Sequence, residues 1–447
     1  MQQTYDTNIK TSPERAIIVG AKFKSDSASD MKESLNELRQ LVETAGMEIV
    51  CEMTQALKTP NPAYFIGRGK IEELEALMAE LKAEAVIFND DLTPGQTRNI
   101  EKTLDTTVID RTGLILKIFD QRAQTKEARL QVDLAQLEYA LPRLTRMWTH
   151  LSRQSTGGGG GGAGRAFRDA GETQIQLDRR MIRGQIARVK KDLQEVEKRR
   201  RVRRRNRKEM TNVSLVGYTN AGKSTLFNAL TGENRLVEDK LFATLDSTTR
   251  IVDLPSNQQI LLSDTVGFIR KLPHHLVSAF KATLEEITEA DLLLHVIDVS
   301  HPQAEEQIDA VNQVLEELNA TDLPTIMVFN KIDLLEHEAE LQLLNHKYPN
   351  SVAISALAGN GLDILKAQLA ERFAERDIDI SLNIPYIEGK TLDFLYKHGE
   401  VLDTDYQADG IQVNARIPRR YLKSVKPFMS DDANSLNTGI KEIRELP

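Results

Sequence analysis

Gly217-Tyr218-Thr219-Asn220-Ala221-Gly222-Lys223-Ser224-Thr225 is the stretch whose residue types and spacing most directly suggest chemistry. It fits G-x-x-x-x-G-K-[ST] and lies between the apolar run VSLV and a helical pattern, the setting a phosphate-binding loop requires. Glycines at 217 and 222 let backbone N–H groups approach phosphate oxygens, and the following helix N-terminus adds partial positive charge. Lys223 is expected to reach the β- and γ-phosphates, and Ser224 to place its hydroxyl on Mg²⁺.

Three companions follow in order. Asp264-Thr265-Val266-Gly267 closes an apolar strand; the Asp can hold the hydration shell of Mg²⁺, and the Gly N–H can sense a γ-phosphate. Asn330-Lys331-Ile332-Asp333 ends another strand. The Asp333 carboxylate can accept from guanine N1–H and its exocyclic amine, a donor pair that adenine lacks, while Asn330 ties loops together and the Lys331 stem covers the base. Ser355-Ala356-Leu357 ends a third, where a backbone N–H can bind guanine O6. Any one of these could be an ordinary strand-terminal turn. Four in this order predict GTP, seated at the carboxyl ends of a parallel sheet.

A hydroxyl that leaves with the γ-phosphate is expected in the segment EDKLFATLDSTTR, where Thr244, Thr248 and Thr249 compete and Thr244 is favoured. Lys223, Thr244 and Gly267 are the expected catalytic residues, with Ser224 and Thr244 as Mg²⁺ ligands. Position 268 is Phe, where many GTP-hydrolysing enzymes carry a Gln that orients the attacking water. Unaided hydrolysis should therefore be slow. Asn220 could ligate an activating K⁺ beside the phosphates, or simply cap its loop.

The elements that must position these groups read as an α/β multidomain chain. The 447 residues exceed one ordinary core and imply about two to four domains. After a short N-terminal segment (1–13), residues 14–110 alternate strand and helix patterns as an α/β domain with a parallel sheet. Residues 111–210 read as an antiparallel helical hairpin, because Leu130, Leu134, Leu137, Leu141 and Leu144 recur at coiled-coil spacing, as do Ile182, Ile186, Val189, Leu193 and Val196. Pro142 should kink the first of these helices. Residues 211–376 return to alternation as the P-loop domain, with a mostly parallel sheet and helices on both faces. A small α+β domain (377–447) follows.

Charge is segregated along the chain. Between Leu141 and Met210, 20 Lys and Arg face 7 Asp and Glu, in a protein of net charge −8. The run KRRRVRRRNRK contains Arg199, Arg200, Arg201, Arg203, Arg204 and Arg205; Arg165 and Arg168 flank six glycines in the expected hairpin tip. Such a limb suits a polyanion, and these arginines are the RNA-contact candidates. The single cysteine, Cys51, excludes an internal disulfide. No run approaches the ~18 apolar residues of a membrane span. The N-terminus lacks a signal-peptide pattern. A cytoplasmic monomer is expected.

With these motifs in place, the chain resembles the HflX family of ribosome-associated GTPases. The resemblance rests on YFIGRGKIEEL, VIDRTGLILKIFDQRAQTKEARLQVDLAQLEYALPRLTRMWTHLSRQ, GETQIQLDRR and FATLD. It implies binding to the large ribosomal subunit and its RNA, ribosome-stimulated conversion of GTP to GDP, and splitting or rescue of stalled ribosomes. It also implies that Gly217–Thr225 bind phosphate, that Phe242-Ala243-Thr244-Leu245-Asp246 and Asp264–Gly267 form two switches, and that Ser355–Leu357 lie behind the base. One departure is visible: the family's G-x-G-x-R-G-P loop before GETQ is here GGGGGGAGRAFRDA. Gly67–Lys70 is too short a signal to support ATP use by the N-terminal domain. The competing functions are an Era- or Obg-like GTPase of ribosome assembly or RNA maturation, and a non-hydrolysing GTP sensor.

Overall fold

The computed structural model describes residues 13–24, 27–146, 166–205, 210–233, 241–255, 258–270, 281–335, 338–374, 377–407, 409–418 and 421–429. The Gly157–Gly162 run and Arg165 lie outside them. The first sheet has order β2-β1-β3-β4 and is parallel throughout, with β1 Glu14–Lys22, β2 Met47–Ala56, β3 Ala85–Phe88 and β4 Thr107–Ile109. Its central strands are nearly unbroken apolar runs because both faces are covered. Ile17, Val19, Val86 and Phe88 face α2 (Arg68–Leu81) and α3 (Pro94–Leu104), while Ala16, Ile18 and Ile87 face α1 (Ala28–Thr44) and α4 (Arg111–Arg122). Capping boxes start α1 at Ser27/Asp30 and α3 at Thr93/Gln96, satisfying N–H groups that the first helical turn leaves free.

Helix α5 (Lys126–Ala140) pairs with the long α6 (Ala166–Arg205). Leu134, Leu144 and Leu193 are buried, and Ile182, Ile186, Val189 and Val196 are the half-buried seam of an otherwise exposed α6 face. Two expectations are corrected here. Pro142 does not kink an α-helix: α5 stops at Ala140, and Leu141–Arg146 continue as a 3₁₀ turn with Pro142 in its first turn, where an N–H donor is dispensable. Arg168 is helical rather than in a loop, because α6 begins at Ala166, just past the last glycine of the run.

The second sheet has order β10-β9-β8-β5-β7-β6, parallel except for the edge strand β6. Its strands are β5 Thr211–Gly217, β6 Thr248–Asp253, β7 Gln259–Asp264, β8 Leu292–Asp298, β9 Thr325–Asn330 and β10 Ser351–Ala353. Helices α7 (Lys223–Thr231) and α11 (Leu362–Ala374) cover one face; α8 (Lys281–Thr288) and α9 (Ala304–Glu317) cover the other, and α10 (Glu338–Lys347) lies between β9 and β10 in sequence. The C-terminal sheet is antiparallel, β11 Asp377–Ile384, β13 Gly410–Pro418 and β12 Glu400–Gln407 in that spatial order, and packs on α12 (Gly389–His398). β11 is absent from the pattern reading above, although Ile378, Ile380, Leu382 and Ile384 alternate with polar residues.

The first two sheets share a core. One apolar cluster runs from α1 and α4 into Phe242, Leu245, Val266, Phe268 and Ile269. At its centre Arg111, 2% exposed, donates to Asn89 Oδ1 (3.0 Å), Glu37 Oε2 (2.6 Å) and the Arg270 carbonyl (3.3 Å). The Tyr218 hydroxyl donates to Glu37 Oε1 (2.5 Å) and accepts from the Arg270 N–H (2.7 Å). Removing one partner of such a pair leaves the other charged and buried. Arg111→Ala is therefore expected to destabilise the protein by ~3–5 kcal/mol, read as a lowered midpoint of the first urea transition. Glu37→Gln combined with Arg111→Met should recover at least half of that loss, since neither charge is then stranded. Unchanged midpoints would contradict the assignment.

Candidate functional site

The 217–225 loop leaves the end of β5, and α7 starts at Lys223 with Gly222 as its N-cap. Gly222 has φ +93°, and a Cβ there would stand 2.2 Å from Asn330 Nδ2, so both backbone sterics and the neighbouring side chain demand glycine. Lys223 Nζ is buried and donates to the carbonyls of Gly217 (3.0 Å) and Tyr218 (2.7 Å). Burial lowers its pKa to about 8, against the opposing pull of Asp264. Thr219, Asn220, Ser224 and Thr225 line the cavity beside it; Ala221 is buried beneath, and the Tyr218 ring turns away towards Glu37.

Three oxygens converge at the mouth of α7. Ser224 Oγ lies 2.8 Å from Thr244 Oγ1, and both hydroxyls donate to Asp264 Oδ2, at 2.8 and 3.0 Å. Burial raises the Asp264 pKa, opposed by Lys223 and the two hydroxyls. Asp264 Oδ1 and Thr219 Oγ1 are buried with no hydrogen-bond partner. Two hydroxyls and a carboxylate, with orphaned oxygens beside them, fit a hard cation such as Mg²⁺. Of the three competing threonines Thr244 reaches this point, while Thr249 pairs with Ser263 Oγ (2.9 Å) and Thr248 begins β6 opposite Asp264.

Phe242, Ala243 and Thr244 line the cavity, but Leu245 is buried in the core and Asp246 points away, to Thr125. Thr265 lines the cavity while its hydroxyl donates to the Leu215 carbonyl (2.5 Å); Val266 is buried. A Cβ on Gly267 would meet Thr219 Cγ2 at 2.8 Å and Lys223 Nζ at 2.9 Å, so its backbone lies close against the phosphate-loop threonine and the buried lysine, where no side chain fits. Phe268 joins the loop through its backbone alone, its N–H donating to Gly217 O (3.1 Å) and its carbonyl accepting from Thr219 N–H (2.7 Å). Its ring is 1% exposed and packs in the core shared with the N-terminal domain.

Asn330 joins two loops as its position suggested: Nδ2 donates to the Ala221 carbonyl, and Oδ1 accepts from Ala356 N–H, both at 2.9 Å. Lys331 has φ +66° and pairs with Asp298 Oδ2 at 2.7 Å. Ile332 is half-buried, Asp333 and Leu357 are exposed, and Ser355 is buried with its hydroxyl accepting from Ala358 N–H (3.1 Å). Asp298 is missed by the motif reading; the available signal was an apolar strand ending in Asp, as at Asp264. Asn220 is exposed at φ +61°, a conformation that itself favours asparagine. His295, fully buried on β8, is held neutral with a pKa near 3 by burial and then by Lys223. Arg199 is exposed near the end of α6, which continues through Arg200, Arg201, Arg203, Arg204 and Arg205.

Three family profiles tile the chain: "GTP-binding GTPase N-terminal" over residues 32–120, "GTP-binding GTPase Middle Region" over 122–207, and "50S ribosome-binding GTPase" over 212–331. The GTPase HflX of Caldanaerobacter subterraneus subsp. tengcongensis is 46% identical over 93% of this chain and 94% of its own. The chain belongs to the HflX family of GTPases. The Escherichia coli HflX is 44% identical, covering 91% of this chain and 94% of its own. Among solved structures, a GTP-binding protein of Sulfolobus solfataricus in complex with GDP is 25% identical, with TM-score 0.43, over 80% of this chain and 98% of that one. This HflX-family protein is accordingly a GTP hydrolase with a P-loop nucleotide domain, of a class that uses Mg²⁺. No helix among the described residues is long and apolar enough to cross a membrane.

Nucleotide phosphates placed beside Lys223 would favour its charged form, so a complex would hold a proton that the free protein loses as pH rises through about 8. GDP affinity should be about fourfold weaker at pH 8.5 than at pH 7, a range in which the terminal phosphate is already largely dianionic. Calorimetry in two buffers of different ionisation enthalpy should register proton uptake only at the higher pH. A flat profile without uptake would contradict a depressed Lys223.

Proposed function

We propose that this HflX-family GTPase binds GTP·Mg²⁺ between the 217–225 loop and Thr244, docks its basic hairpin on the large ribosomal subunit, and splits or rescues stalled ribosomes before hydrolysis releases it. The observation that carries the nucleotide part is the convergence of Ser224 and Thr244 on Asp264 beside a buried lysine. Mg²⁺ held there by Ser224 and Thr244 would neutralise charge on the β- and γ-phosphates. Lys223, fixed by two carbonyls, directs its remaining proton outward to the phosphates. Gly267 N–H meets the terminal phosphoryl, Asp333 reads the guanine edge, and Asn330 keeps the phosphate and base loops in register.

The ribosomal part is supported by the family to which the chain belongs and by the basic end of α6. Phosphate contacts by Lys and Arg give salt-dependent affinity, so RNA binding should weaken steeply with ionic strength. With Phe268 buried, no side chain at that position orients water, and alignment must come from the ribosome or from a K⁺ beside Asn220.

Base reading is tested by Asp333→Asn, which swaps an acceptor for a donor facing N1 and the 2-substituent. GTP affinity should fall at least about 100-fold while that for XTP, whose 2-oxo group accepts, rises. Equal losses for both nucleotides would contradict the assignment. Partner choice is tested by sedimentation with 70S ribosomes and free subunits, under a GTP analogue or GDP. Analogue-dependent binding to the large subunit with loss of 70S particles is expected. Binding only to immature particles would favour an assembly role, and ribosome-indifferent turnover a sensor.

A further inference from the structure

Thr244 is bracketed by two contacts to a part of the chain far from it in sequence. Two residues before it, the buried Phe242 ring meets Phe119 at 4.7 Å between centroids, edge to face. Phe242 has φ +54°, a left-handed backbone that is unfavourable for a bulky side chain and persists only where surroundings enforce it. Two residues after it, the Asp246 carboxylate accepts from Gln124 N–H and Thr125 N–H, both at 3.2 Å, and from the Thr125 hydroxyl at 2.5 Å. Leu245 fills the core between. The segment that presents the cation-binding hydroxyl is thus held at both ends by the corner between α4 and α5.

That corner has a second duty. Thr125 is the N-cap of α5, its Oγ1 accepting from Ala128 N–H at 3.1 Å, and α5 packs along α6, the helix that ends in the basic run. One hydroxyl therefore caps the hairpin helix and, through its proton, grips the segment carrying Thr244. By reciprocity, whatever seats Thr244 also seats the root of the hairpin, and whatever pulls on the hairpin changes the cost of seating Thr244.

We propose that Phe119 and Thr125 are positioning residues for the nucleotide switch: the α4–α5 corner receives the 242–246 segment through Phe242 and Asp246, and so couples the triphosphate state to the hairpin. This rests on the reading that Thr244 ligates Mg²⁺ only when a γ-phosphate is present. The contacts raise affinity for the triphosphate over the diphosphate, because only the former uses Thr244.

The test is a double-mutant cycle on the full chain, measuring Mg²⁺-dependent affinity for a non-hydrolysable GTP analogue and for GDP. Asp246→Ala, which spares the Thr125–Ala128 cap, should lower analogue affinity about tenfold while GDP affinity stays within about twofold. Thr125→Val should do the same, Thr125→Ser should restore the wild-type ratio, and the double variant should be no worse than Asp246→Ala alone. An unchanged analogue-to-GDP ratio in Asp246→Ala, equal losses for both nucleotides, or additive effects would overturn the coupling. A wild-type protein that does not distinguish analogue from GDP would instead overturn the underlying switch reading.

Discussion

The buried carboxylate of Asp264 and the buried ammonium of Lys223 set the terms for everything around them. Each is held out of water, at a cost that pulls the carboxyl pKa up and the lysine pKa down. Neither is neutralised by a direct partner: the lysine is fixed by backbone carbonyls, and the carboxylate takes two hydroxyls. Such an arrangement is poorly satisfied alone and well satisfied by phosphate oxygens and a divalent cation.

That arrangement depends on backbone placement at strand ends. β5, β7, β8 and β9 lie side by side and deliver, respectively, the phosphate loop, Asp264, Asp298 and Asn330 at one edge of the sheet. Asn330 then spans from the 217–225 loop to Ala356, tying that loop to the turn after β10. The N-terminal half is part of this construction. Arg111, Glu37 and Tyr218 form a buried polar bridge from the first sheet to the segment just past Gly267, and the α4–α5 corner grips the segment holding Thr244. The 242–246 and 264–270 segments thus both lean on residues outside the P-loop domain.

What could be read from sequence follows the range of the physics involved. The phosphate loop, the strand-end Asp and Gly, and the N-K-x-D run are local: their function needs a particular backbone path over a few residues, so spacing alone reveals them. The two hydrophobic seams of the hairpin were legible for the same reason, since Leu134 and Leu193 sit on a short repeat. β11 had a clear alternation that went unread, and α6 begins in a segment whose nearby glycines obscured its helical residues. The Glu37–Arg111–Tyr218 bridge and the Asp246–Thr125 contact had no local signal. They join residues separated by 74, 181 and 121 positions, and no periodicity says which buried charge meets which. Motif membership places Asp246 in a switch segment, and only the fold shows its side chain turned to the helical hairpin.

In the mechanism proposed above, Ser224 and Thr244 share a divalent cation with a γ-phosphate beneath Lys223. Calorimetric titration of the wild-type chain and Ser224→Ala with a non-hydrolysable GTP analogue, with Mg²⁺ and with chelator, tests it most directly. The wild type should bind at least about tenfold more tightly with Mg²⁺ than without, and the variant should lose most of that difference. Analogue affinity that ignores Mg²⁺ in the wild type, or a Mg²⁺ effect undiminished in Ser224→Ala, would contradict it.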